Sequence, residues 1–133
     1  MIDHIDHIVL TTRDLDACVR FYSGVLGMKL ERFRTPSEER LALKFGNQKI
    51  NLHVWGREFT PRAHVAAPGT LDLCFIASVP LDRVIATLKE KGVEIQEGPV
   101  AKTGAMSKLR SVYVRDPDLN LVEISEQVPL GAL

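Results

Sequence analysis

The sequence predicts an α+β domain of two βαβββ modules, because one pattern of elements occurs twice along the chain. In each half, a strand-like run precedes a helical apolar stripe that ends at a glycine, and further strand-like runs follow. The spacing from His7 to Gly27 equals that from Asp72 to Gly92, 20 positions in both halves. Each half also closes with two strand-like runs around a tight turn. We therefore expect the modules to form a curved mixed sheet.

The first module is predicted over about residues 1–56, within a single domain that spans residues 1–133. Asp14 is a suitable N-cap for a helix over residues 15–26, and Gly27 is a suitable stop. Strands are predicted at residues 5–11, 28–35, 41–45 and 49–55. Residues 57–69 contain two prolines and mixed charge without a clear period, which is typical of a linker.

The second module is predicted over about residues 70–126, with a helix at residues 81–91 and a loop at residues 101–109. An offset of 65 aligns the first strands and the helices of the two modules. The final hairpins align at an offset of 70, so the loop is assigned the five additional residues. This alignment matches His53 with Glu123.

The composition is that of an ordinary globular domain, with 45% apolar and 26% charged residues among 133. Seventeen basic and seventeen acidic residues give no net charge, which argues against bulk attraction to nucleic acid or an anionic membrane. Cys18 and Cys74 form no CxxC pair, and the first ten residues lack the pattern of a signal peptide. We therefore expect a soluble cytoplasmic protein.

Four residues of metal-ligand type fall at matched places in the two modules. His7 and Asp72 lie on the first strand of each module, and His53 and Glu123 lie on the last. Imidazole and carboxylate together suit a divalent ion such as zinc, nickel, manganese or iron(II). Taken singly, each residue also fits a structural role, as a hydrogen-bonded histidine or a solvent-facing carboxylate. Only the matched placement of all four favours a metal site.

Several motifs resemble the vicinal oxygen chelate superfamily, which includes glyoxalase I, extradiol dioxygenases and bleomycin-binding proteins. They are IDHIVLT at residues 5–11, FYSGVLGM at 21–28, FGNQKINLH at 45–53 and RDPDLNLVEIS at 115–125. The chain is most similar to small proteins of the glyoxalase-domain-containing protein 5 type. The resemblance implies a sheet curved around a metal-binding cavity, often in a homodimer.

The resemblance also implies metal ligands at His7, His53, Asp72 and Glu123, with Glu123 as the catalytic base. The chain departs from the family at two of these positions. Many members carry a histidine where this chain has Asp72, and glyoxalase I usually carries a glutamate where it has His53.

We therefore expect a divalent-metal-dependent, glyoxalase I-like lyase or isomerase that acts on a small oxygenated substrate through a metal-stabilised enediolate. One alternative is an iron-dependent extradiol dioxygenase, and another is a metal-free protein that binds a small molecule. Trp55, Lys108 and Arg110 are candidates for substrate binding, because an aromatic wall or a cation near the cavity would select the substrate. As alternatives, Trp55 fits a core residue and the two cations fit solvated surface charges.

Overall fold

The structure of the protein is a computed structural model that describes residues 1–129. The chain divides into two compact units. The first unit contains Met1–Leu71 together with Pro117–Leu119, and the second contains Asp72–Asp116 and the chain from Asn120 onward. Among the described residues, no helix is long and apolar enough to cross a membrane.

The first unit contains a four-stranded sheet and one short helical region. Its elements are β1 (His7–Thr12), α1 (Leu15–Val19), a π-helical segment (Arg20–Val25), β2 (Lys29–Arg34), β3 (Glu39–Phe45) and β4 (Gln48–Val54). The strand order is β1-β4-β3-β2, with β1 parallel to β4 and the other neighbours antiparallel.

The second unit repeats this arrangement. Its elements are β5 (Asp72–Ile76), α2 (Leu81–Glu90), β6 (Glu97–Thr103), β7 (Lys108–Arg115) and β8 (Leu121–Val128). The strand order is β5-β8-β7-β6, and again only the first pair is parallel. The prediction of two βαβββ modules is confirmed. Hydrogen bonding joins the strands into two sheets of four.

Two local predictions differ from the structure. The helix over residues 15–26 is α-helical only at its start, and Leu26 N then donates to Phe21 O, five residues back. The loop predicted at residues 101–109 is mostly strand, because β6 continues to Thr103 and β7 begins at Lys108. Only a tight turn remains, closed by Gly104 N donating to Ser107 O at 2.8 Å. β6 is an edge strand, which tolerates the polar residues that suggested a loop.

Each sheet has one apolar face that is buried. In the first unit this face carries Leu10, Leu43, Ile50 and Leu52, all at most 4% exposed. In the second unit, α2 contacts β7 and β8 and buries Leu81 and Leu88. Side chains alternate between the two faces of a strand, so the residues between these apolar positions lie on the opposite face. That opposite face, called the polar face below, carries the candidate functional residues.

A buried polar contact anchors the turn of residues 117–119 within the first unit. Thr12 Oγ1 donates to Asp118 Oδ2 at 2.6 Å, and Arg13 N donates to Asp118 Oδ1 at 3.0 Å. Thr12 is fully buried and Asp118 is 3% exposed. Gly69 has a φ of 76°, and a Cβ there would lie 2.8 Å from the backbone oxygen of Asp118. Because Asp118 is almost fully buried, its carboxylate relies on protein donors, which also include the Arg13 guanidinium, 3.6 Å from Oδ1.

We predict that Thr12→Val lowers the free energy of unfolding by about 1–3 kcal/mol, since it removes a hydroxyl donor from a buried carboxylate. Urea denaturation followed by circular dichroism measures the change. Thr103→Val, at an exposed position on edge strand β6, is the matched control and should change stability by less than about 0.5 kcal/mol. Equal effects of the two substitutions would show that the Thr12–Asp118 contact contributes nothing specific.

Candidate active site

The strand register places three polar residues of the first unit on one face. In the parallel pair β1·β4, His7 lies opposite Lys49, Val9 opposite Asn51 and Thr11 opposite His53. Paired residues point to the same side of a sheet, and every second residue along a strand shares that side. His7, Asn51 and His53 therefore share the polar face of the first sheet.

The second unit has the same register, and it corrects one alignment made from the sequence. In the pair β5·β8, Asp72 lies opposite Leu121 and Cys74 opposite Glu123. Glu123 therefore corresponds to Asn51 and not to His53, which is a residue offset of 72 and not 70. The physical reason is turn length. Phe45 pairs with Gln48 across two residues, whereas Arg115 pairs with Leu121 across five.

Each unit thus presents one diagonal pair of polar residues, His7 with Asn51 and Asp72 with Glu123. The two members of a pair lie on neighbouring strands and two positions apart, so their Cα atoms are about 8 Å from each other. Side chains at this distance can reach a common ion. His53 lies four positions from His7 along the sheet, or about 13 Å. Within each unit taken separately, no three His, Cys, Asp or Glu side chains among residues 1–129 cluster closely enough to hold a metal.

His7 has one ring nitrogen engaged and one available. Its side chain is about half exposed, and Nδ1 lies 2.8 Å from Asp6 Oδ1. This hydrogen bond is the main reason why the pKa of Asp6 is lowered. A carboxylate on one imidazole nitrogen orients the ring and leaves the other nitrogen to bind a metal, as in many metal sites.

His53 has a very different environment. It is 6% exposed, and its Nδ1 is buried without a hydrogen-bond partner. The ring of Phe59 packs edge-on against it, with the ring centroids 5.3 Å apart. Burial, followed by the positive charge of Arg40, lowers the pKa of His53 from its ordinary value of 6.5. The imidazole is therefore neutral at neutral pH and can act as a donor or an acceptor.

Glu123 lies in a row of side chains that crosses the polar face of the second sheet. Cys74 is opposite it on β5, and Tyr113 is opposite it on β7. Ser125 Oγ donates to Glu123 Oε2 at 3.3 Å and lies 2.6 Å from Ser111 Oγ. Burial, together with a hydrogen bond to Glu123 and the charge of that carboxylate, raises the pKa of Tyr113 to about 12. Burial also raises the pKa of the Cys74 thiol.

Tyr113 and Asn51 are two residues that the sequence reasoning missed. Both follow from strand register, because Tyr113 pairs with Glu123 and Asn51 corresponds to it. The hairpin around residues 116–120 was the available signal, but its turn length could not be read from the residue types.

The three predicted substrate-binding residues lie at exposed or partly exposed positions, each within its own unit. Trp55 follows β4, is 54% exposed and has the Arg13 guanidinium 5.4 Å from its ring centroid. Lys108 is exposed at the start of β7, where its Nζ donates to Thr103 Oγ1. Arg110 forms ion pairs with Asp82 of α2 and with Glu126. It alternates with Ser111 along β7 and therefore lies on the face opposite Glu123.

We predict that Tyr113 ionises near pH 12 in the metal-free protein, above the ordinary tyrosine value of 10.0. Its contribution to stability should be complete below pH 10 and lost as the pH rises through 12, because the folded state holds this proton more tightly. The ultraviolet absorbance of tyrosinate, with Tyr113→Phe subtracted to remove the signal of Tyr22, measures the transition. Glu123→Gln should return the pKa towards 10. A Tyr113 pKa near 10 in the unsubstituted protein would contradict the arrangement.

Comparison with known proteins identifies the fold. The model of the Glyoxalase/Bleomycin resistance protein/Dioxygenase superfamily matches residues 4–124. The virulence protein STM3117 of Salmonella typhimurium is 48% identical over 128 residues, which are 96% of this chain and 87% of that protein. The crystal structure of that protein superimposes on this chain with a TM-score of 0.91. The superposition covers 96% of this chain and 99% of the other.

Two further relatives carry glyoxalase names. The glyoxalase domain-containing protein RDO1 of Mycosarcoma maydis is 46% identical, over 91% of this chain and 66% of that protein. The lactoylglutathione lyase GLX1 of Arabidopsis thaliana is 30% identical, over 92% of this chain and 44% of that protein. The likeness to the glyoxalase-domain-containing protein 5 type stays a prediction. The chain belongs to the glyoxalase/bleomycin resistance protein/dioxygenase superfamily.

Proposed function

We propose that the protein is a divalent-metal-dependent lyase or isomerase that moves a proton on a small oxygenated substrate. The observation that carries this proposal is the setting of Glu123. Its carboxylate is half-buried on the polar face, is held by the hydroxyls of Ser125 and Tyr113, and lies diagonally from Asp72. A carboxylate fixed in this way is suited to proton transfer or to metal binding.

The donors of the two diagonal pairs fit a divalent ion. His7 offers one ring nitrogen to the ion, because its other ring nitrogen, Nδ1, is hydrogen-bonded to Asp6 and so fixes the orientation of the ring. Asp72 and Glu123 offer carboxylate oxygens, while Asn51 offers only a neutral amide. We propose His7, Asp72 and Glu123 as the ligands. Three protein ligands leave positions open for substrate oxygens. His53, which the sequence also predicted as a ligand, lies apart from His7 on this face.

The chemistry divides between the ion and the side chains. When bound, a divalent ion would polarise a substrate oxygen and stabilise the charge that develops as a neighbouring proton leaves. Glu123 takes that proton and returns it at a neighbouring atom. The Tyr113 hydroxyl, which keeps its proton at neutral pH because its pKa is about 12, donates to Glu123 and holds it in position.

Two considerations favour this proposal over an extradiol dioxygenase. One histidine with two carboxylates is harder and more oxygen-rich than the two-histidine, one-carboxylate set typical of non-haem iron(II) oxygenases. The 30% identity to a protein named lactoylglutathione lyase gives further support. The dioxygenase stays the second candidate, because a ligand set that included His53 would contain two histidines.

We predict that His7→Ala and Glu123→Gln each weaken metal binding by about tenfold or more, since each removes a ligand. Purified protein is stripped with a chelator and reloaded with zinc, nickel, manganese or iron(II), and the bound metal is measured by elemental analysis. Glu123→Gln should also slow proton exchange on a hemithioacetal by about 100-fold or more.

Glu126→Gln is the matched control for these variants. Glu126 lies on the same strand and pairs with Arg110 on the opposite face, so its loss should leave metal binding unchanged. Full metal occupancy in both His7→Ala and Glu123→Gln would instead favour a metal-free binding protein. Oxygen uptake with a catechol and iron, without hemithioacetal turnover, would favour the dioxygenase.

A further inference from the structure

Three buried side-chain atoms without a hydrogen-bond partner occur together on the first sheet. Among residues 1–129, no other buried side-chain nitrogen or oxygen lacks a hydrogen-bond partner. The three atoms are Arg40 Nε, Asn51 Oδ1 and His53 Nδ1. An unpaired buried polar group destabilises the folded state, so such groups are rare in native proteins. Three on one face indicate a place where a bound molecule supplies the missing partners.

The strand register brings the three residues together. Asn51 and His53 are two positions apart on β4 and point to the same side. Ala42 on β3 pairs with Asn51, so Arg40, two positions from Ala42, lies on that side at the level of His53. The effect of the Arg40 charge on the pKa of His53 agrees with this placement.

Phe59 contacts both ends of this group. Its ring is 5.3 Å from the imidazole of His53, and the guanidinium carbon of Arg40 is 4.0 Å from the centroid of the Phe59 ring. Phe59 follows β4 in a segment without strands, between Val54 and Asp72. The three unpaired atoms have almost no exposed surface. Phe59 therefore packs against Arg40 and His53, and we expect its ring to move when a ligand reaches these two side chains.

The neighbouring acidic side chains already have partners. Glu38 accepts from Arg40 Nη2 at 3.1 Å, which leaves the buried Nε–H of the guanidinium unused. Glu58 accepts from Gly56 N and pairs with Arg62 at 3.2 Å. The group therefore offers one charged donor at Arg40, one ring nitrogen at His53 that can donate, and one acceptor at Asn51.

We propose that Arg40, His53 and Asn51 form a binding subsite for a small 2-hydroxy carboxylate. The carboxylate accepts hydrogen bonds from Arg40 Nε and from the ring of His53, and the hydroxyl donates to Asn51 Oδ1. A charged donor beneath an aromatic ring, away from water, favours an anion over a neutral molecule. The binding itself is independent of any metal. That the bound acid is the substrate rests on the proposed function.

Titration of the chelator-treated, metal-free protein tests the subsite with three matched probes. Lactate carries both groups, propionate lacks the hydroxyl, and lactamide lacks the charge. Fluorescence of Trp55, the single tryptophan and four residues from Phe59, reports movement of this segment, and nuclear magnetic resonance reports the His53 ring. Lactate should bind about tenfold or more tightly than either analogue. Equal affinity for all three probes, or no saturable change in fluorescence with lactate, would show that water alone forms hydrogen bonds with the three buried atoms.

Two substitutions assign the effect to residues. Arg40→Gln and His53→Gln should each weaken lactate binding about tenfold or more, while Arg57→Gln, exposed in the same segment, should leave it unchanged. Arg40 is 28% exposed, so Arg40→Gln gives a folded test even where the buried His53 variant does not fold. Unaltered lactate affinity in Arg40→Gln would overturn the subsite. Loss of metal from loaded His53→Gln protein would overturn it too, because His53 would then be a metal ligand.

Discussion

The candidate site depends on the register of the two parallel strand pairs, β1·β4 and β5·β8. Because side chains alternate between faces, a slip of one residue would turn His53 and Glu123 to the apolar face and Leu52 and Val122 to the polar face. The buried apolar faces therefore fix the positions of the polar residues behind them. The polar faces can carry chemistry because the opposite faces already provide the core.

The two polar faces have the same geometry but different chemistry. The diagonal pair of the first unit combines an imidazole, His7, with an amide, Asn51, whereas the pair of the second unit, Asp72 with Glu123, combines two carboxyl groups. The first face also keeps buried polar atoms unpaired, which reduces stability. Local departures of this kind are expected at functional sites, where the sequence satisfies a ligand and not only the fold.

The repeated modules could be predicted from the sequence because hydrophobic periodicity and glycine stops are local signals. His7 and Glu123 could be proposed as site residues from similarly local signals, as ionisable residues in otherwise apolar strands. The partners of Glu123 could not be found, because pairing depends on turn length. The turn of one hairpin contains two residues and that of the other contains five. Because of this difference, Glu123 corresponds to Asn51 in the first module and not to His53. The face on which Arg110 lies could not be predicted because it depends on the same register. The end of β6, residues 101–103, was predicted as a loop because edge strands tolerate polar residues.

X-ray absorption spectroscopy of the metal-loaded protein distinguishes the proposed ligand set from one that includes His53, because it counts imidazole ligands on the bound ion. We expect one imidazole, from His7, with oxygen donors from carboxylates and solvent in the other positions. The single-imidazole signal should disappear in His7→Ala and persist unchanged in His53→Gln. Two imidazoles in the unsubstituted protein, reduced to one by His53→Gln, would contradict both the ligand set and the separate role given to His53.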